Sequence, residues 1–432
     1  MNRIILIGNG FDLAHGMNTS YNHFLKDYWE KIITQLQHSA ASNITSLGKT
    51  FENEEIIVDG LHGSWGDTTK IDATNFEGLL TNLKSQNINL SFKNKFLEIL
   101  TKKQKELNWV DIEIEYYELL KKSFTDKDKG TLDYTIQQLN EDFERVKNLL
   151  EEYLLKIELE FDKSKNTNFS RTRNRIEKKI YSHFNLRDFS ESSLNQKIDL
   201  EYADFVKDAE AFKDGNVERS ELSKKRISLI QAIGADASRE EFKSMMISQD
   251  AHVFFDLLPN LTLFLNFNYT LTELYYESPP RLSTWGNGKT VEFNHIHGSN
   301  RKEDKNPIIF GFGDELDEDY KKIERLNNND YLENIKSIKY LDTDNYKRLL
   351  EFVNAGNYQI MIMGHSCGTS DRTLLNTVFE NDNCASIKVF YHNKGDNKDN
   401  FSDIIKNISR NFNDKALMRD RVVNKTYCEP LN

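Results

Sequence analysis

The stretch NRIILIGNGFDLAHGMNTSY, residues 2–21, decides the fold. Its apolar run predicts a strand over residues 3–7, and Gly8 and Gly10 end that strand in a tight turn. A helix is expected from about Thr19, with apolar residues recurring three or four places apart. A buried strand followed by a glycine turn and a helix is typical of an α/β domain with a parallel sheet.

The glycine turn has two interpretations. Gly8 and Gly10 allow backbone amides to approach a ligand closely, or they simply allow a strand-to-helix turn. The dehydrogenase fingerprint needs a third glycine three places after the second, where this chain has Leu13, so a hydride-transferring Rossmann domain is disfavoured. The carboxylate of Asp12 suits ribose hydroxyls better than phosphate, which it would repel. Its alternative role is a helix N-cap.

Composition limits the class of protein. The chain has 432 residues, 38% of them hydrophobic, and a formal net charge of -11. This charge argues against nucleic acid as the main partner. The three cysteines have no metal-ligand spacing, which favours a reduced compartment without structural zinc. No apolar run approaches the ~20 residues of a membrane helix, and IILIG is too short for a signal-peptide core. We expect a cytoplasmic protein without a membrane partner.

The chain divides into three zones, at residues 1–74, 75–250 and 251–432. The middle zone is rich in Lys, Glu and Leu with helical periodicity, as in FERVKNLLEEYLLKIELEF. The last zone contains short apolar runs typical of buried parallel strands: LTLFLNFNYT, TVEFNHIHG, NPIIFGFGD, YQIMIMGHS and SIKVFYHN.

This pattern predicts one parallel sheet flanked by helices, begun at the N-terminus, interrupted by a large all-helical insertion and completed by the last zone. The insertion is the candidate for sensing, for homo-oligomerisation or for covering a pocket. Ligands of such sheets bind at the carboxyl ends of the strands. The polar residues expected at those ends are Asn9, Asn268, His297, Asp314 and His365.

Two of these strand ends suggest chemistry. The amide of Asn268 can hold a sugar hydroxyl or a water, or it can close a strand-end turn. His297, directly before Gly298, suits a general base, the alternative being a structural histidine. His295 and His297 alternate, so on a strand both would point to one face. No carboxylate or cysteine accompanies them at ligand spacing, so we expect no metal there. Glu273 is expected to be an ordinary carboxylate in the first turn of a helix.

The motif MIMGHSCGTSD repeats the logic of the opening stretch. A hydrophobic strand ends at Gly364, and backbone amides and the Ser366 hydroxyl are placed to hold a second part of a ligand. Asp371 precedes a helix and is either a ligand contact or its N-cap. The sequence around Cys367 does not indicate a catalytic cysteine, and we expect Cys367 to be a small buried residue.

Together, the motifs LIGNGFDLAHGMNTSY, NFNYTLTE, HIHG, IIFGFGD and GHSCGTSD resemble the AbiH family of bacteriophage abortive-infection proteins. The resemblance covers the first 30 residues and about residues 260–380. NWVDIE, with Trp109, Asp111 and Glu113, also looks like a family feature. The resemblance implies an effector of phage defence that responds to a phage-derived trigger.

The same order of motifs is more remotely similar to sirtuin-like NAD-consuming domains, which implies a Rossmann-like (sirtuin-like) sheet and NAD as ligand or substrate. By this resemblance Asn268 orients the nicotinamide ribose or the attacking water, and His297 is the general base. The zinc-binding cysteines of sirtuin deacetylases are absent, and a carboxylate near their nicotinamide pocket is Thr270 here. The residues implied in binding the nucleotide are Gly8, Asn9, Gly10, Phe11, Asp12, Gly364, His365, Ser366 and Asp371.

Three functions follow as hypotheses. The first is an NAD hydrolase that releases ADP-ribose and nicotinamide in phage defence. The second is a non-catalytic nucleotide-binding sensor or interaction module that uses the same pocket. The third is a hydrolase or nuclease in which Asp12, Asp111 and Glu113 bind Mg²⁺. The sequence does not distinguish hydrolysis of NAD from transfer of its ADP-ribosyl group.

Overall fold

The computed structural model describes the chain except for residues 42–48, 62, 65–66, 108–110, 126–134, 165–166, 214–221, 278–288, 302–304 and 397. The chain forms two compact units. The first contains residues 1–15, 165–299 and 340–432, and the second contains residues 16–164 and 300–339. The expected boundaries at 74 and 250 do not coincide with the limits of these units.

Strands and helices are numbered in chain order. The strands are β1 (Asn2–Ile7), β2 (Lys49–Glu52), β3 (Ile56–Leu61), β4 (Gly63–Ser64), β5 (Asp67–Thr68), β6 (Asn89–Phe92), β7 (Leu261–Asn266), β8 (Thr290–His295), β9 (Tyr358–Met363), β10 (Cys384–Tyr391), β11 (Asn393–Gly395), β12 (Lys398–Asp399) and β13 (Glu429–Pro430). The helices are α1 (Asn9–Ala14), α2 (Tyr21–Ala41), α3 (Phe76–Ser85), α4 (Lys95–Leu107), α5 (Ile112–Thr125), α6 (Ile136–Ser164), α7 (Thr167–Ile180), α8 (Glu191–Lys213), α9 (Lys224–Ile233), α10 (Arg239–Met246), α11 (Ala251–Phe254), α12 (Glu318–Arg325), α13 (Lys336–Lys339), α14 (Asn345–Asn354), α15 (Arg372–Glu380), α16 (Phe401–Asn411) and α17 (Lys415–Arg421).

The first unit is built on a six-stranded sheet in the order β13-β10-β9-β1-β7-β8. Every neighbouring pair is parallel, and Ile4 pairs with Leu263 on one side and Ile360 on the other. The four strands from β10 to β7 are continuous apolar runs because both faces are covered. Helices α14 to α17 pack against the sheet. The expected parallel sheet, begun by the first strand and completed by the last zone, is confirmed.

The second unit contains the motif NPIIFGFGD, and here the expected strand is wrong. Residues 306–311 form no strand, and Phe312 makes only an isolated bridge to Ile335. The apolar side chains are used in aromatic packing instead: Phe310 stacks on Phe143 and Phe312 on Tyr117. Asp314 therefore does not follow a strand of the parallel sheet.

The expected all-helical insertion is also corrected. Residues 75–164 belong to the second unit, where β6 completes a three-stranded antiparallel sheet with β2 and β3. Residues 165–250 belong to the first unit. The long amphipathic helix is confirmed as α6, whose Phe143 and Val146 are fully buried.

Candidate functional site

Two glycine loops meet at the carboxyl edge of the parallel sheet, one after β1 and one after β9. The Gly10 amide donates to the Gly364 carbonyl at 2.8 Å. A Cβ on Gly364 would lie 2.0 Å from the Phe11 nitrogen, and one on Gly8 would lie 2.6 Å from the His365 Cα. The close approach that these glycines permit is therefore between the two loops. Contact of either loop with a nucleotide stays a prediction.

Asp12 lies inside α1 and does not cap it, since the N-cap is Gly8. Its carboxylate is only 1% exposed and accepts hydrogen bonds from the hydroxyls of Thr270 and Thr272, each at 2.6 Å. Asp12 thus ties the first glycine loop to the segment after β7. The neighbouring Phe11 is fully buried.

Asp371 stands between two histidines of the same edge. Its Oδ1 lies 3.2 Å from His297 Nε2, and its Oδ2 lies 3.5 Å from His365 Nε2. All three side chains are buried, and the ring of Phe267 packs against both imidazoles. Asp371 is at the N-cap position of α15 but makes no side-chain capping bond. The sequence alternative of an N-cap aspartate is therefore confirmed for its position, although the side chain makes no capping hydrogen bond.

Hydrogen bonds fix part of the protonation pattern. His365 Nδ1 accepts from the Cys367 amide at 3.0 Å, so the proton of a neutral His365 is on Nε2, facing Asp371. His297 Nε2 also lies 3.1 Å from the Tyr340 hydroxyl, and the two rings are nearly parallel. A buried carboxylate orients an imidazole and stabilises its protonated form. The arrangement equips His297 to take up a proton.

Asn268 follows β7 at the same edge of the sheet at which His297 follows the neighbouring strand β8. Asn266 of β7 pairs with His295 of β8, and Asn268 and His297 each follow two residues later. The Asn268 amide nitrogen of the main chain donates to Asn266 Oδ1 at 2.8 Å. Its side-chain Nδ2 is buried and has no hydrogen-bond partner in the part of the chain that the structure describes. A buried donor without a partner costs about 1–3 kcal/mol, so a water or a ligand is expected to accept a hydrogen bond there.

The expected common face of His295 and His297 is wrong because β8 ends at His295 and His297 lies in the turn beyond it. His295 Nε2 instead faces Glu273 Oε1 at 2.9 Å. Glu273 is in the first turn of a 3-10 helix, as expected of a first-turn carboxylate, but it is fully buried and also accepts from Asn266 Nδ2 at 2.6 Å. Sequence reasoning missed this second histidine–carboxylate pair, because no local pattern joins Glu273 to His295.

The remaining residues of the second loop differ in exposure. Ser366 is exposed, and its carbonyl accepts from Asn407. Cys367 is fully buried with a positive φ of 55°. Burial, followed by the charge of Asp371, raises the pKa of the Cys367 thiol, so it is no nucleophilic thiolate. The expectation of a small buried cysteine is confirmed.

The carboxylates expected to bind Mg²⁺ have other partners. Asp111 caps α5 by accepting from the Glu113 and Ile114 amides, and Glu113 forms a buried ion pair with Lys336 at 2.9 Å. Trp109 lies outside the described residues. Among the residues that the structure describes, no three His, Cys, Asp or Glu side chains form a metal-binding group.

The fold and the edge define an α/β protein with a buried histidine–carboxylate site at the carboxyl ends of parallel strands. The model of the family described as Bacteriophage abortive infection AbiH matches residues 4–208 and 185–393, so the chain belongs to this family. Membership suggests a role in abortive-infection defence against phage. Comparisons with curated proteins and with solved structures gave no match, and the sirtuin-like fold stays a prediction. Within the described ranges, no helix has the length and apolarity to cross a membrane.

Proposed function

We propose that the chain is a phage-defence effector that binds NAD at the carboxyl edge of the parallel sheet and hydrolyses it to ADP-ribose and nicotinamide. The observation that carries the proposal is the buried, unpartnered side-chain amide nitrogen of Asn268 at the end of β7, together with the Asp371-oriented His297 after the neighbouring β8. Asn268 supplies a donor for a ribose hydroxyl or for water, and His297 supplies a base. A glycosidic hydrolysis needs both groups in one shielded place.

The chemistry requires little more than positioning. The bond between nicotinamide nitrogen and ribose C1′ breaks, and its electron pair leaves with nicotinamide. A water oxygen bonds to C1′ on the oxocarbenium-like sugar, and its proton passes to His297. Asp371 stabilises the imidazolium that forms. Release of that proton to solvent completes the balance of NAD⁺ and water to ADP-ribose, nicotinamide and H⁺.

The two glycine loops are proposed to flank the nucleotide. Their interlocking through Gly10 and Gly364 fixes them in one geometry before any ligand binds. A fixed pocket lowers the entropic cost of binding. Asp12 acts by anchoring the first loop through Thr270 and Thr272.

The non-catalytic sensor remains the second candidate, because His297 Nε2 is already engaged by Asp371 and Tyr340. An imidazole whose Nε2 has two buried partners is also typical of a structural histidine. The two candidates differ in one measurable property, since a sensor binds NAD without breaking it.

The test is incubation of the full-length protein with NAD, with nicotinamide and ADP-ribose measured by mass spectrometry. We expect release by the wild type and a loss of about 10²–10⁴-fold in His297→Ala and Asn268→Asp. The matched controls are His392→Ala, an exposed histidine just after β10, and Asn424→Ala, an exposed asparagine. Both controls should keep wild-type turnover.

The other outcomes separate the hypotheses. Saturable NAD binding that survives His297→Ala, without nicotinamide release, would establish the sensor. Nicotinamide release with protein-linked ADP-ribose would indicate transfer in place of hydrolysis. If NAD neither binds nor breaks down, or if His297→Ala and Asn268→Asp behave like their controls, the proposed site is wrong.

A further inference from the structure

A cavity lies at the amino edge of the parallel sheet, opposite to the histidine–carboxylate site. Its volume is about 340 Å³. Phe184, in its wall, donates its amide to the Leu257 carbonyl just before β7 and lies under the guanidinium of Arg3 at the start of β1. The cavity therefore belongs to the first unit and is separate from the histidine–carboxylate site at the carboxyl edge.

The charged groups around this cavity are basic. The rings of His183 and His252 lie 5.0 Å apart in its wall, and Arg187 is held there by a 3.0 Å hydrogen bond from Nε to the Ile247 carbonyl. None of the residues described around the cavity is acidic. Lys225 adds positive charge next to the cavity wall, since its ammonium donates to the His252 carbonyl at 3.0 Å. Burial, followed by His252 and Lys225, lowers the pKa of His183.

Two carboxylates next to this region are paired with lysines, while the exposed Asp250 lies between the lining residues Gln249 and Ala251. Asp256 pairs with Lys289 at 3.0 Å, and Asp188 pairs with Lys388 at 2.7 Å. A guanidinium in a concave wall attracts anions. The local field thus favours a phosphate or another small anion.

The rest of the lining is apolar or aromatic. Phe184, Leu186, Met246 and Leu257 are buried side chains, and Tyr427 is 47% exposed. Small-ligand sites usually measure about 300–1,000 Å³ and combine apolar walls with a few charged groups. The volume is at the lower end of this range, which suits a mononucleotide better than a dinucleotide.

We infer that the cavity between His183, Arg187 and His252 binds a small phosphorylated ring compound of the size of a nucleoside monophosphate. The phosphate lies against the guanidinium of Arg187, which offers charge-assisted hydrogen bonds, and beside the two imidazoles, which offer ring N–H donors. The ring lies against the apolar wall, where Tyr427 and Phe184 provide aromatic surface. This site is independent of the proposed NAD chemistry.

The test is isothermal titration calorimetry of the full-length protein with AMP, adenosine and inorganic phosphate. We expect saturable AMP binding, adenosine binding at least about tenfold weaker, and competition by inorganic phosphate. Arg187→Ala and His252→Asn should each weaken AMP binding about tenfold or more. Both side chains are exposed, so these variants should fold, which circular dichroism checks. The matched controls are Arg410→Ala and His392→Asn, placed away from the cavity.

Variants of the carboxyl edge keep this test separate from the first proposal. AMP binding that persists in Asn268→Asp and His297→Ala supports the amino-edge cavity, whether or not NAD is hydrolysed. AMP binding that is lost in those variants but kept in Arg187→Ala would assign AMP to the carboxyl edge and overturn the inference. The absence of AMP binding, or equal affinity for AMP and adenosine, would also overturn it.

Discussion

Three glycine-to-alanine variants test the interlocking of the loops after β1 and β9. Gly395 has φ +80° with nothing within 4 Å of an added Cβ, so Gly395→Ala changes only the backbone conformational energy. Gly8 has an ordinary φ of -138°, and its added Cβ overlaps the His365 backbone at 2.6 Å. Gly364 combines both features, with φ +84° and a Cβ placed 2.0 Å from the Phe11 nitrogen.

The expected magnitudes follow from these contacts. A left-handed conformation costs an alanine roughly 1–2 kcal/mol, which is the expected destabilisation for Gly395→Ala. Overpacking costs about 1–3 kcal/mol, which is the expectation for Gly8→Ala. Gly364→Ala has both costs, so its free energy of unfolding should fall by about their sum, roughly 2–5 kcal/mol. The overpacking is not relieved easily, because backbone atoms move less readily than side chains.

The assay is urea unfolding followed by circular dichroism, with the free energy of unfolding compared at equal slope. In peptides from β1 and β9, the protection of amides against hydrogen exchange should decrease in Gly364→Ala and in Gly8→Ala but not in Gly395→Ala. If Gly364→Ala were as stable as Gly395→Ala, the two loops would not be packed as described, and the reasoning would fail.

Two further predictions concern titratable groups of the first unit. Asp371→Asn should lower NAD turnover by about 10²-fold or more, because His297 loses the carboxylate that stabilises its protonated form. The control Asp382→Asn, at an exposed position, should leave nicotinamide release unchanged. Equal activity of the two variants would rule out this role of Asp371. Burial lowers the pKa of His15 from 6.5 to about 4, its Nε2 lying 2.6 Å from the Tyr276 hydroxyl. Because the unfolded chain then binds the extra proton between these values, the free energy of unfolding should fall by up to about 3 kcal/mol as the pH drops from 6.5 to 4. Urea unfolding measured between pH 6.5 and 4 should show that the free energy of unfolding of His15→Gln depends less on pH than that of the wild type. The same pH dependence in both proteins would contradict a lowered pKa of His15.

The sheet could be predicted because each parallel strand is encoded by its own local apolar run. β1, β7, β9 and β10 are buried on both faces, so their sequences differ visibly from the helical zones. The run IIFGFGD misled for the same reason, since its apolar residues are buried by aromatic partners in the second unit. An apolar run in the sequence predicts that its side chains are buried, but it does not predict which residues they pack against.

The candidate site was predicted in part. Strand-end position was enough to select His297, Asn268 and His365, because the carboxyl ends of parallel strands share one edge. The role of Asp371 was not visible, because a capping aspartate and a carboxylate shared by two histidines look alike in sequence. Glu273 was missed for a similar reason, since its partner His295 is on another strand. The glycines showed that something approaches closely, but not that it was the other loop.

The central position of β1 in the sheet has a consequence for synthesis of the chain. Strand β1 has both of its neighbours in the sheet, β7 and β9, more than half of the 432 residues away. At about 5–20 residues per second, β1 waits on the order of 10–50 s before β7 exists, and longer before β9 and the loop that carries Asp371. Every truncated product of translation that lacks β9 therefore lacks this carboxylate. The proposed site can therefore form only after Asp371 has been synthesised.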